Sequence, residues 1–296
     1  MNGTSSSPLE NINLCFYGAG AMAEAILRGL TEARLASPER ITVMNRQNGD
    51  RLVELQRRYG VVPAVQDHAK QEALRNADVI VLGMKPKDSA GALRALAPLL
   101  RPGQLIVSAI AGLSIGTIGT LLGDGRAIVR TMPNTSSTIG LGATGISFSS
   151  EVSPAQRELA LAMFGAVGIN AVVEEPLIEA VNGVSGSGPA YVYYLMEAMI
   201  DAGMNLGLSP EAARELTVQT VLGAAEMVRQ TGENPAELRR KVTSPGGTTQ
   251  AAIETLERYR FQEGMNAAIL RCAERAREMG EAIRAEAEVP SLARSE

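Results

Sequence analysis

The chain has 296 residues, of which 45% are hydrophobic, 20% charged and 3% aromatic, with a net charge of -4. That length points to two domains, and the apolar fraction to packed cores rather than disorder. The negative balance excludes broad nucleic-acid binding, the shortage of aromatics excludes stacking platforms for bases or sugars, and no run reaches the roughly 18 apolar residues of a membrane helix.

Residues 1–8 are polar and serine-rich without the charged-then-apolar pattern of an export signal, so a cytoplasmic location is expected. Apolar runs then follow at 12–17, 41–44, 79–84, 105–110 and 128–132, separated by amphipathic stretches at 21–33, 49–59, 71–76, 89–100 and 114–122. This is the βαβ rhythm of a parallel sheet, and the continuous apolar runs mark strands covered by helices on both faces. Cys15 lies in the first run and reads as a buried thiol rather than half of a disulfide with Cys272. Two further strand-like pieces, 145–149 and 170–173, flank a helix opened by Ser153-Pro154 and extend the same sheet. Beyond Glu175 the chain becomes rich in Ala, Glu, Arg, Met and Leu at helical spacing. Helix starts are expected at Ser187-Gly-Pro189, Ser209-Pro210, Asn234-Pro-Ala-Glu237 and Thr248. The expected organisation is a Rossmann-like α/β domain at 10–175, an all-α substrate and dimerisation domain at 176–285, and a flexible tail at 286–296.

Gly18-Ala19-Gly20-Ala21-Met22-Ala23 lies between the first strand and the first helix, the Gly-x-Gly-x-x-Ala form of a dinucleotide turn. Gly18 permits the tight turn, and Gly20 lets a pyrophosphate reach the amides at the helix start. The second strand ends in Asn45-Arg46-Gln47, where an NAD site would place a carboxylate. Arg46 can instead pair with a 2′-phosphate and Asn45 adds a neutral donor, so NADPH is expected over NADH; a solvated Arg46 is the alternative. Met84-Lys85-Pro86, Ala109 to Ala111 and Met132-Pro-Asn134-Thr135 fall at further strand ends, where a nicotinamide would lie, although Lys85 could equally be a solvated charge.

In the second half, Thr243-Ser244-Pro245-Gly246-Gly247-Thr248-Thr249-Gln250 runs directly into a helical pattern, so its amides can receive an anion such as a carboxylate, with Ser244, Thr248 and Thr249 hydroxyls completing the contact. Ser185-Gly-Ser-Gly-Pro-Ala-Tyr191 is as consistent with close packing as with ligand contact, and Glu175 is either solvated or faces a cationic substrate nitrogen. His68, the single histidine, sits in the polar stretch 66–70 and reads as a loop residue. Carbonyl reduction develops an alkoxide that needs a proton donor, whereas a protonated imine already carries the charge that hydride neutralises, so an imine suits this inventory. No metal site is expected.

The glycine turn, Met84-Lys-Pro86, Met132-Pro-Asn-Thr135, Ser185 to Tyr191 and Ser244-Pro-Gly-Gly-Thr-Thr249, in that order over about 13–279, together resemble the pyrroline-5-carboxylate reductases. The resemblance implies reduction of 1-pyrroline-5-carboxylate to L-proline, the closing step of proline biosynthesis. It implies that Thr249 bonds the ring nitrogen, Gly247 and Thr248 hold the carboxylate, and Glu175 lies near the substrate. It places Asn45, Arg46, Met84, Lys85 and Ala111 along the cofactor, and implies an interwoven homodimer, often five dimers to a ring. Ser136 stands where a proline often follows, and His68 or Lys70 where an asparagine often contacts the cofactor. A β-hydroxyacid dehydrogenase would show a lysine on the first long helix of the second half, which here reads Pro189-Ala-Tyr-Val-Tyr-Tyr-Leu-Met-Glu197. An NADPH-binding paralogue without turnover would not need Thr249.

Overall fold

A computed structural model describes residues 7–288. Eight strands form one sheet in the order β3-β2-β1-β4-β5-β6-β7-β8, comprising β1 (Leu14–Tyr17), β2 (Ile41–Met44), β3 (Val62–Pro63), β4 (Val79–Leu82), β5 (Leu105–Ser108), β6 (Ala127–Met132), β7 (Gly142–Phe148) and β8 (Gly168–Val172). Every neighbouring pair is parallel except β6 with β7. The reversed strand departs from the all-parallel expectation, because an apolar run carries no direction. β3 was not expected either: it is two residues long, and Val62 is exposed.

The sheet is covered on both faces, and alternation along each strand sends neighbours to opposite sides. Leu14, Phe16, Val79, Val81, Leu105 and Val107 pack with helices α1 (Ala21–Glu32), α2 (Gly49–Tyr59) and α6 (Pro154–Gly165). Cys15, Ile80, Leu82, Ile106 and Ile128 pack with α3 (Asp67–Asn76), α4 (Ser89–Leu96) and α5 (Ile115–Leu122). Burial pushes the Cys15 thiol up to about 12, and both cysteines are free. Ser153 and Gln156 form a reciprocal capping box at the start of α6. His68 lies in the first turn of α3 rather than in a loop, since the helix begins at Asp67, four residues before the apolar spacing becomes readable.

Beyond Glu175 the chain is helical: α7 (Ile178–Val181), a π turn over Asn182–Gly186, α8 (Gly188–Asn205), α9 (Pro210–Thr231), α10 (Pro235–Lys241), α11 (Thr248–Arg258) and α12 (Phe261–Glu288). Ser209 and Asn234 cap α9 and α10 through their side chains. Ser187 does not cap α8: the backbone before it is already helical, and its hydroxyl accepts from the Cys272 thiol at 3.2 Å. Thr248 is the first residue of α11, not its cap, which is Gly247.

Contacts divide the chain into two compact units, one of residues up to Ser187 with those from Arg271, the other Gly188–Leu270. The division falls twelve residues after the expected boundary at 175/176, because α7 packs on β7 and the π turn packs on α7 and β7. The end of α12 also returns to the first unit: Arg94 donates to the carbonyls of Glu286 and Ala287. The expected tail is therefore helical over 286–288; its remainder, 289–296, and the polar start, 1–6, lie outside the described residues. Within the described residues no helix is long and apolar enough to cross a membrane.

Candidate active site

The carboxyl ends of β1, β4 and β5 meet at the glycine turn. Gly18 has φ +128°, and a Cβ there would lie 2.5 Å from the carbonyl carbon of Gly83, so backbone conformation and close strand packing both demand glycine. Gly20 is different: a Cβ would find its nearest atom at 3.9 Å, so its open side faces free space. Gly20 is also the N-cap of α1 and supplies no side-chain cap, which leaves the first-turn amides from Ala21 onward for an external anion. Beside this turn lies a cavity of about 330 Å³ lined by Gly20, Ala21 and Met22 on one side and Met84, Lys85, Pro86, Ala109 and Ala111 on the other. Apart from Lys85 its walls are small or apolar, as a flat ring requires. These expected residues are brought together; Gly18 and Ala19 form the backbone entrance to the same turn.

Asn45 and Arg46 sit outside this cavity, on the loop from β2 to α2. The Asn45 side chain is spent on the turn, accepting from the Asn48 amide at 3.1 Å and donating to the Asn48 carbonyl. Arg46 is 82% exposed, with one carboxylate oxygen of Asp88 at 3.7 Å, a surface pair of small energy that leaves the guanidinium available.

The turn is braced by a residue the sequence did not flag. Arg51, in the first turn of α2, donates to the Ala19 carbonyl at 3.3 Å and pairs with Glu24 of α1 and with Glu54. Burial alone would raise the Glu24 carboxyl, but hydrogen bonds from Arg51 and Tyr59 outweigh it and hold the group below the usual carboxylate range. Arg51 has one partner on its own helix, Glu54, but the two that brace the turn, Glu24 on α1 and the Ala19 carbonyl, leave no mark in the spacing.

In the helical unit, Gly246 has φ +69° and turns the chain into α11. The expectation of a run of free amides is narrowed: the Gly246 amide donates to Gln250 Oε1 at 2.7 Å and the Gly247 amide to the Ser244 carbonyl at 3.0 Å. Free donors therefore begin at Thr248, where the helix has no side-chain cap. Ser244 and Thr248 are exposed and Thr249 half-buried.

Glu175 is already occupied. Its Oε1 accepts from the Ile115 amide at 2.7 Å and from Nη1 of the buried Arg130 at 3.2 Å. The signal for Arg130 was a charge inside the apolar run of β6, which burial obliges to find partners. Asn134 donates to the Ser185 carbonyl at 3.3 Å and accepts from the Ala143 amide at 3.2 Å, and a Cβ on Gly186 would meet Asn182 Oδ1. The Ser185 segment thus serves close packing.

An open sheet with a glycine turn, an uncapped helix start and a small cavity at its strand ends defines a dinucleotide-binding protein. Residues 13–112 match the family model described as NADP oxidoreductase, coenzyme F420-dependent, and residues 175–279 that described as pyrroline-5-carboxylate reductase dimerisation. The chain is 41% identical to pyrroline-5-carboxylate reductase 2 of Bacillus subtilis, over 90% of this chain and 94% of that protein. A solved pyrroline-5-carboxylate reductase from Coxiella burnetii is 38% identical with a TM-score of 0.84, covering 91% of this chain and 99% of that one. The Plasmodium falciparum pyrroline carboxylate reductase, solved with NADP bound, is 29% identical with a TM-score of 0.83, covering 92% and 99%. The chain belongs to the pyrroline-5-carboxylate reductase family.

Proposed function

We propose that this protein reduces 1-pyrroline-5-carboxylate to L-proline with NADPH, the last step of proline biosynthesis. The observation that carries the substrate half is the uncapped start of α11, where amide donors begin at Thr248 beside three hydroxyl side chains. The helix-end amides and the positive end of the dipole hold the substrate carboxylate at Thr248 and Thr249, with Ser244 and Thr248 hydroxyls completing the contact. Gly247 contributes room and the sharp approach, since a Cβ there would meet the Ser244 carbonyl oxygen at 3.0 Å. The Thr249 hydroxyl bonds the ring nitrogen and orients the imine. Glu175 serves as a support, its carboxylate being engaged by Arg130 and Ile115.

Bound NADPH supplies the hydride. The amides around Gly18, Ala19, Gly20, Ala21 and Met22 hold its pyrophosphate, and Met84, Lys85, Pro86, Ala109 and Ala111 flank its nicotinamide. Arg46 reads the 2′-phosphate and Asn45 shapes the loop that carries it, with NADH as a weaker substitute. The protein works in the cytoplasm as a homodimer, built further into a pentamer of dimers, which a light-scattering mass in solution tests.

The deciding experiment adds 1-pyrroline-5-carboxylate to protein with NADPH and follows nicotinamide absorbance. Oxidation is expected, and Thr249→Ala is expected to lower kcat roughly a hundredfold, the size of one lost transition-state hydrogen bond. Tight NADPH binding without oxidation in the wild type would overturn the reading.

A further inference from the structure

Arg130 is the one buried cation among the described residues for which burial is nearly complete: its side chain is 4% exposed, in the middle of the sheet. Alternation along β6 puts it on the face it shares with Ile128, the face that α5 covers. Its two terminal nitrogens are divided between carboxylates, Nη1 to Glu175 Oε1 at 3.2 Å and Nη2 to Glu179 Oε1 at 2.7 Å. Glu175 passes the hold onward, because the same Oε1 accepts from the Ile115 amide at 2.7 Å.

Ile115 opens α5, and the loop just before it, residues 109–114, supplies Ala109, Ile110 and Ala111 to the wall of the cofactor cavity. That loop is fixed at other points as well, among them the Ala109 amide, which donates to the Leu82 carbonyl at 3.2 Å. The Ser108 hydroxyl accepts from the Ile110 amide at 3.4 Å, and the Thr131 hydroxyl donates to the Ser108 carbonyl at 2.9 Å. Gly112, at φ +78°, meets the backbone of α12, where a Cβ on Gly280 would lie 2.5 Å from the Gly112 carbonyl oxygen. The far end of the loop is tied down by Glu175. A buried ion cluster contributes little net stability over an apolar core of the same volume, so stability alone does not account for this one.

We propose that Arg130 is a positioning residue for the cofactor site: through Glu175 it fixes the start of α5, and with it the loop 109–114 that forms the nicotinamide wall. This rests on the proposed function for the identity of the cofactor and on the geometry for the rest. Glu175 then acts on the cofactor side of the reaction and not as a ligand of the imine.

The test compares wild type, Arg130→Lys and Glu175→Gln in the full-length protein. NADPH Kd is read by fluorescence without substrate, KM for NADPH and for the imine from turnover, and Tm separately. Lysine cannot fork to two carboxylates, and glutamine loses the charge-assisted bond to Arg130 while keeping an acceptor for Ile115. Both variants are expected to raise NADPH Kd and KM about tenfold, with the smaller change in kcat at saturating cofactor. A fall in Tm with NADPH Kd unchanged would reduce Arg130 to a structural pair and overturn the proposal. A rise in imine KM alone in Glu175→Gln would also overturn it, by making Glu175 a substrate ligand. If Arg130→Lys does not fold, Glu175→Gln alone carries the comparison. Because Kd needs no turnover, a wild type that binds NADPH but fails to reduce the imine would overturn the proposed reaction while leaving this comparison intact.

Discussion

Two glycines two residues apart in the same turn have opposite tasks. Gly18 is required by what is already there, a left-handed φ and the backbone of Gly83 pressed against it. Gly20 leaves open the space into which a ligand can come, 3.9 Å clear of the nearest atom. The same contrast separates Asn45 from Arg46: the amide closes its own loop, and the guanidinium reaches into solvent. A charge-assisted bond between that guanidinium and a 2′-phosphate contributes about 1.5–3 kcal/mol, which is roughly ten- to a hundredfold in affinity. Arg46→Asp is therefore expected to weaken NADPH by that factor and leave NADH nearly unchanged, measured as the ratio of the two dissociation constants. An unchanged NADPH affinity would remove Arg46 from the site.

At the scale of elements, the capping box of α6 offers a measurement of stability separate from activity. Ser153 and Gln156 each satisfy the other's backbone amide, at 3.0 and 3.3 Å. Ser153→Ala is expected to cost about 1 kcal/mol and lower Tm by roughly 2–4 °C, with NADPH affinity retained, because the cavity residues are contributed by other elements. This helix was legible in the sequence for the reason that makes it stable: Ser-Pro followed by Gln is both the signal and the bond. The strands β1, β2, β4, β5 and β6 were legible on similar grounds, since burial on both faces leaves uninterrupted apolar runs. β3 was not, being too short for any period, and the direction of β7 is set by its pairing with β6, which no local pattern encodes. Along the path from Ile178 through the π turn, Gly186 reads as a break but allows close packing against Asn182. In the helical half, the helix start was readable, but not which amides it leaves free: Gln250 reaches back four residues to the Gly246 amide, a choice of one side-chain rotamer.

For the whole molecule, the two units differ in how well each can sustain itself. The first is built around two extensive buried clusters, one on each face of the sheet. Between Gly188 and Leu270, by contrast, the described residues include only Ala213 and Thr217 as buried, while Tyr194, Leu206, Tyr259 and Leu270 are exposed along with Leu216, Leu222 and Met227. The α8 and α9 helices do meet closely where Gly203 faces Ala213, with a built Cβ 3.2 Å from that of Ala213, but a pair of helices with one small seam cannot bury its own apolar residues. Large apolar patches of this kind mark surfaces that another chain covers, and the match of residues 175–279 to a model described as dimerisation supports a second copy as that partner. Placing a charge in such a surface desolvates it without a partner. Leu222→Asp is thus expected to break the assembly, reducing the mass measured by light scattering at micromolar concentration to that of one chain and lowering Tm with it, since folding of this half is linked to association. A variant that keeps the wild-type mass would show that α9 faces solvent in the assembled protein and that the exposed row on α8, including Tyr193 and Tyr194, carries the interface instead.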